Sequence, residues 1–206
     1  MAISFVSAET TIQNSGTTIT VNKPAGVVFG DLMIAQFYVE GSSIPTITPP
    51  AGWTSKATAT GTNTRSQVFT KVAGASEPAS YAFTSSPSLV AGSGAICAYR
   101  ATGTIVEAAD ANVLDTTAPI DAPSVTTTRP NAKLFCGFTT VAIGSGVSGM
   151  TSRVALDNGS RDIAAFDQDI ASSGATGTRT YTGSGIGWGY SLAIEEISGN
   201  RIRMMI

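Results

Sequence analysis

The sequence predicts an all-β protein, an antiparallel β-sandwich of jelly-roll or Greek-key type, as a single domain over residues 1–206. Three observations predict it. Turn residues punctuate the chain every 8 to 12 residues or so, the spacing of short strands in a sandwich or barrel. No stretch shows the apolar periodicity of an amphipathic helix, about 3.6 residues per turn. Four long apolar runs, at 32–39, 94–100, 133–143 and 187–197, lie far apart in the chain, so their pairing is non-local.

The chain is organised around residues 24–53. Pro24-Ala25-Gly26 makes a turn, and Gly30-Asp31 launches the apolar run at 32–39. That run is too short for a helix and fits a strand buried on both faces. Gly30 tolerates backbone angles that other residues avoid, and the Asp31 carboxylate can cap the turn. Pro49 and Pro50 belong to a loop, and Trp53 is expected to fold over the sheet's end as a packing residue.

The remaining elements follow in order. Residues 3–6 form a short edge, 17–21 a β-branched strand, and 65–72 the strand after Trp53. Residues 80–84 alternate large and small, and Ser85-Ser86-Pro87 is expected to end that strand. Residues 94–100 read as a second buried strand. Residues 105–122, rich in acids and proline, read as a long surface excursion, and 123–128 resume β character. Residues 133–143 are the third buried strand, 154–166 a hairpin through Asp157-Asn158-Gly159, 178–182 a short strand and 187–197 the last long one. Leu32, Ile34, Phe37, Ile96, Phe135, Phe138, Leu192 and Ile194 are the expected core. No internal repeat stands out. Residues 1–16 are expected to form an N-terminal arm and 199–206 a C-terminal tail, in which Ile202, Met204, Met205 and Ile206 are more apolar than a solvated end requires.

Composition narrows the function. Twelve basic residues against 14 acidic ones leave a net charge of −2, which excludes an electrostatic nucleic-acid binder. Charged residues are 13% of the chain, about half the usual share, and Thr, Ser and Gly fill their place. Such a surface suits a protein that lives packed against other protein. No apolar run reaches the roughly 18 residues of a membrane helix. The opening MAISFVSAETT has neither a basic region nor a long apolar one, so no signal peptide is expected.

Chemistry is sparse. The chain has no histidine, which removes Ser-His-Asp and Cys-His nucleophile systems and the usual zinc ligands. The candidate carboxylate pairs are Glu107 with Asp110, Asp157 with Asp162, Asp167 with Asp169, and Glu195 with Glu196. Glu195 and Glu196 are adjacent on a strand and point to opposite faces, so they cannot share a site. The segment 157–162 lacks the closing Glu of a calcium loop and reads as a hairpin turn. The glycines at 183, 185 and 187 have no strand-to-helix context for phosphate binding. Cys97 and Cys136 are expected as buried free thiols, able to pair only if their strands are neighbours. No catalytic residue, cofactor or metal site is expected.

A set of motifs adds to this reading. Gly-Asp-Leu-Met-Ile-Ala at 30–35, Pro-Pro-Ala-Gly-Trp-Thr at 49–54, Lys-Val-Ala-Gly at 71–74, Glu-Pro-Ala-Ser-Tyr-Ala-Phe-Thr at 77–84 and Ala98-Tyr99-Arg100 together resemble a β-sandwich domain of tailed-bacteriophage virion proteins. The likeness spans about residues 20–103. Such domains occur as capsid decoration (cement) proteins and in tail-fibre-like proteins. The resemblance implies a non-enzymatic protein on the capsid exterior, made in the host cytoplasm. It implies the major capsid protein and further copies of itself, as a homotrimer, for partners, with some strand-face apolar residues lying between chains. The tail residues Ile202, Met204, Met205 and Ile206 would then contact the capsid. The alternative is a tail-fibre or tailspike module binding host-surface glycan, with Trp53 or Trp188 stacking on sugar; a bacterial adhesin domain is a third reading.

Overall fold

The computed structural model describes residues 3–115, 118–183 and 185–197, and among them every regular element is a strand. The first half of the chain contributes β1 (Ser4–Ile12), β2 (Gly16–Asn22), β3 (Leu32–Gly41), β4 (Thr46–Thr48), β5 (Thr54–Thr60), β6 (Thr64–Val72) and β7 (Ser80–Arg100). The second contributes β8 (Thr104–Asp115), β9 (Ile120–Ala122), β10 (Thr126–Thr127), β11 (Ala132–Thr140), β12 (Thr151–Leu156), β13 (Asp162–Ile170), β14 (Gly174–Ala175), β15 (Arg179–Tyr181) and β16 (Gly187–Ile197).

Two antiparallel sheets face each other, as the turn spacing predicts. One runs β1-β7-β3-β6-β5, and the other β8-β16-β11-β13-β12. The chain completes the first sheet before it begins the second, so it crosses between them once, through residues 101–103. Leu32, Ile34, Tyr38 and Cys97 from the first sheet meet Phe135, Trp188, Leu192 and Ile194 from the second in a shared inner core. The opposite faces are apolar too. Met33, Ala35, Phe37 and Ile96 turn outward and are covered by Ile19, Val21, Ile47, Trp53 and Phe83. Leu134, Cys136 and Phe138 turn outward on the other side and are covered by Ile120, Ala122, Val147 and Tyr181. All eight expected core residues are buried.

The covers come from the same strands that build the sheets. β7 is 21 residues long. Its second part pairs with β1 and β3, while its first part pairs with β2 and β4 over the outer face. Ser85-Ser86-Pro87 bends this strand and does not end it. Pro87 sits between Ser86, the last residue paired with β4, and Leu89, the first paired with β3, so its missing N–H interrupts no ladder.

Two further expectations are corrected. The expected surface excursion over 105–122 is instead largely sheet: β9 pairs with β15, and β8 pairs with β16 along its length and forms a sheet edge. Its acids read as loop because an edge strand keeps a wet face. Within the expected N-terminal arm, 1–16, Ser4–Ile12 is a sheet strand that pairs with β7 from Arg100 to Ser93. The thiols stay unpaired: Cys97 lies on β7 facing the inner core and Cys136 on β11 facing outward, in different sheets. Burial pushes each up to about 12, so neither is a reactive thiolate at neutral pH.

The two halves repeat one plan, which the sequence does not advertise. Taken in chain order, each sheet places its first strand at an edge, its last beside it, and its second in the centre. The register repeats residue by residue. Phe37 lies opposite Gly94, and Phe138 opposite Gly189. Ala35 lies opposite Phe69, and Cys136 opposite Phe166. Ile19 lies opposite Phe83, and Ile120 opposite Tyr181. Each outer core therefore holds the same aromatic triad. Phe37 and Phe69 meet edge to face at 6.0 Å and 70°, and Phe138 and Phe166 at the same 6.0 Å and 70°, with Phe83 and Tyr181 closing the two groups. Gly30 and Asn131, both with positive φ, stand before the two central strands and donate to Ala73 O and Ala171 O.

The sheets also pack reciprocally. β1 lies against β12, and β5 against β8, so each edge meets the other half's opposite edge. Glu40 and Val141, at or beyond the ends of β3 and β11, line one cleft, so these strands run the same way. At the centre Gly137 leaves room for Gln36, whose amide lies 2.5 Å from where a Cβ would stand. A two-fold homodimer packs its subunits in this reciprocal way.

Because both triads are fully enclosed, Phe37→Ala and Phe138→Ala are each expected to cost about 3–5 kcal/mol in denaturant unfolding. A loss below about 1 kcal/mol for either would show that its outer layer is not a true core.

Candidate functional site

The motif residues of the first half turn out to be locks on the fold. Gly30 and Asp31 end the Pro24–Gly30 turn. The Asp31 carboxylate accepts from Val28 N at 2.8 Å and from Arg100 Nε and Nη2 at 2.8 and 2.7 Å, while Arg100 also donates to Gly26 O at 2.6 Å. Asp31 is buried, so a two-point guanidinium bond satisfies it where water does not reach.

The second group closes the turn between β6 and β7. Glu77 accepts from Lys71 Nζ at 2.8 Å, Gly74 N at 2.6 Å and Tyr81 Oη at 2.7 Å. Burial pushes the Glu77 carboxyl up, but the bonds from Lys71, Gly74 and Tyr81 outweigh it and hold it below its ordinary 4.5. Gly52, at φ 88°, lies against the Lys71 side chain. Trp53 packs edge-on against Tyr81 at 5.1 Å and Phe83 at 5.4 Å. Trp53 is 7% exposed and Trp188 is 3% exposed, with Trp188 edge-on to Tyr38 at 5.1 Å. Neither ring has a free face for a sugar, which corrects the stacking roles considered for Trp53 and Trp188. The packing role expected of Trp53 is the one it fills.

All of the candidate carboxylates except Asp110, which is exposed on β8, are structural as well. Asp157 accepts from Gly159 N at 2.8 Å and Asp162 from Asn158 N at 2.7 Å, which fixes the expected hairpin. Burial raises the Asp162 carboxyl above its ordinary value. Asp167 takes Arg153 at 2.8 and 3.0 Å, and Asp169 takes Lys133 at 2.6 Å. Glu107 pairs with Lys56 across the two sheets. Glu195 accepts from Thr128 Oγ1 at 2.7 Å and Arg129 N at 3.2 Å, whereas Glu196 accepts from Thr102 Oγ1 at 2.8 Å. As expected, the neighbouring glutamates serve different turns. Among the described residues no cluster of His, Cys, Asp and Glu could hold a metal, and no helix is long and apolar enough to cross a membrane.

Two cavities lie at opposite ends of β3, and neither is lined by two carboxylates. The first, about 430 Å³, lies between the Val28–Asp31 turn, Val72 and the crossing segment 100–105. Phe29 is 76% exposed, and Val28 and Val72 are more than half exposed beside it. Val28 and Phe29 stand on the turn that Asp31 and Arg100 hold, with Val72 beside them on β6, so the exposed ring has a fixed base. Sequence reasoning passed over Phe29. The signal was the Val27-Val28-Phe29 run between two turns, apolar yet outside any strand. The Ile202, Met204, Met205 and Ile206 candidates lie outside the described residues. The second cavity, about 360 Å³, is lined by Tyr38, Glu40, the Gly61–Thr64 turn, Val141, Arg161, Ile186 and Trp188. Arg161 lies over the Tyr38 ring and pairs with Glu40.

The Glu77 cluster makes a pH prediction. Its folded-state value lies below the unfolded one, so its stabilisation is complete above about pH 4.5 and is lost as pH falls through the folded value. Glu77→Gln is expected to lower stability at neutral pH and to flatten the acid limb of an unfolding curve. An acid limb as steep in the variant as in the parent would remove Glu77 from that role.

Compared with protein-family models, with curated proteins and with solved structures, the chain finds no match.

Proposed function

We propose that the protein is a non-enzymatic structural component of a tailed-phage virion, a decoration protein that binds the outer capsid surface and stabilises the DNA-filled head. The observation that carries this reading is the exposed Phe29, flanked by Val28 and Val72, on a turn clamped by Asp31 and Arg100. A contiguous apolar patch on a rigid support is a docking feature. Burying such a ring against a partner yields about 1.5–3 kcal/mol. Weak net charge and the sequence likeness to virion sandwiches support the same reading.

The mechanism is adhesive. A doubly covered sandwich does not deform, so it can hold the joint between capsid subunits closed against internal pressure. The major capsid protein is the partner, with residues 199–206 as a second contact. The protein acts as a homotrimer. Both sheet faces are largely covered within the chain, which leaves few strand-face apolar residues, Val72 and Val90 among them, for contacts between copies.

The test is cosedimentation with capsids assembled from the major capsid protein of the tailed phage that carries this chain. Full-length protein is expected to bind. Phe29→Ser is expected to weaken binding about tenfold or more, with unchanged thermal unfolding, and removal of 199–206 to lower occupancy. Sedimentation as a monomer together with failure to bind capsids overturns the proposal. Equal binding by Phe29→Ser removes Phe29 from the contact.

A further inference from the structure

We propose that residues 198–206 turn back over the crossing segment and dock in the groove between Val28, Phe29 and Val72 of their own chain, so that the free protein covers this face with its own tail. The docking concerns the free chain and does not rest on the virion reading.

The first argument is where the tail leaves the sheet. Ile197, the last residue of β16, pairs with Thr104, which lines the cavity of about 430 Å³ together with Val28, Phe29, Val72 and Ile105. A Cβ on Gly103, another lining residue, would stand 2.5 Å from Ile197 O. The tail is therefore rooted at the rim of the groove. Residues 198–206 span up to about 30 Å when extended, several times the width of such a cavity.

The second is where exposed apolar surface lies. Among the described residues, the large exposed apolar groups divide between the two ends of β3. Ile12, Ile44, Val90 and Ile186 lie toward Gly41, the end away from the tail. Val28, Phe29, Val72 and Ile197 lie at the Leu32 end, where the tail leaves. Asp31 and Arg100 neutralise each other at the base of the groove, so its demand is for apolar groups and not for an ion.

The third is the order of residues in the tail. Laid out as a strand, it places Ile202, Met204 and Ile206 on one side and Arg201, Arg203 and Met205 on the other. One side is wholly apolar and suits the groove, and the other keeps its guanidinium groups in water. Methionine is unbranched and fills irregular gaps. The tether adds to this, because a segment rooted at the rim meets the groove at an effective concentration far above that of separate copies in dilute solution. A capsid contests the same face, so binding there displaces the tail and frees it for the second contact.

The test uses the full chain without capsids. With Val72→Cys and Met204→Cys together, mild oxidation by glutathione disulfide is expected to form an intrachain disulfide at a rate independent of protein concentration. That rate is expected to exceed by about tenfold or more the rate for Val90→Cys with Met204→Cys, whose first position lies at the far end. Cys97 and Cys136 are buried and do not compete. In carbon–proton NMR, the Met204 or Met205 methyl signal is expected to be displaced by the Phe29 ring, and Phe29→Ser is expected to return it to the value of an unfolded chain. Equal trapping at positions 72 and 90 overturns the proposal. So does a mainly interchain product, which places the tail on a second copy, or Met204 and Met205 signals indifferent to Phe29→Ser. Capsid binding enters none of these readings, so their failure leaves the virion reading standing, and failure to bind capsids leaves the docked tail standing.

Discussion

A strand with apolar side chains on both faces cannot stand at the surface of anything, and this chain has such a strand at the centre of each sheet. β3 and β11 are buried almost without interruption. Each therefore needs two covers. The facing sheet supplies one. The other is made by bending the sheet's own strand material back over its outer face, which is why β7 is so long and why β9 and β15 exist as a separate ribbon. Burial of apolar area is the main favourable term in folding, and here it extends over four layers. The outer aromatic triads mark where the covers press hardest. Phe37 meets Phe83 at 4.4 Å, and Phe138 stacks on Tyr181 at 5.0 Å.

This constraint explains what was legible in the sequence. The run at 32–39 announced a doubly buried strand because no polar residue but Gln36 interrupts it, and Gln36 is accommodated by the missing side chain of Gly137. Gly30, Asp31 and the Asp157–Gly159 hairpin were legible because their chemistry is local. The status of β8 and β1 was not. An edge strand has one wet face, and its alternation is diluted by acids that pair with other elements, as Glu107 does with Lys56. Pro87 misled because whether a proline ends a strand depends on where the ladder changes partner, which is a long-range fact. The repeat was hidden for a similar reason. Identity survives at Phe37 and Phe138, at Gly94 and Gly189, and at Ala98 and Ala193, positions where packing leaves little choice. Between them the halves share shape and little sequence.

The candidate sites were the least legible part. The tryptophans drew attention by type, but their rings are used up inside the protein. Phe29 is unremarked by type and becomes notable through exposure. The carboxylates show the converse. Most of those named as possible catalytic groups accept bonds from a nearby turn or cation, so an acid-rich sequence here reports turn locking. The clamp on each central strand even reverses sign between halves. Arg100 reaches back to Asp31 and Gly26 in the first, and Glu195 to Thr128 and Arg129 in the second.

The reversed clamp bears on valency. Two separate copies related by a two-fold axis would present the same residues twice at each end, and any ligand for one would find a second equal place. A single chain that carries both copies is released from that rule. Where the first half shows Val28 and Phe29 before its positive-φ Gly30, the second shows Arg129 and Pro130 before Asn131. One end of the molecule is therefore lopsided, with an exposed aromatic ring on one flank and, on the other, a proline turn whose Arg129 pairs with Glu195. A body shaped like a symmetric pair therefore presents the Phe29 turn once, and its two halves offer different surfaces at the same end.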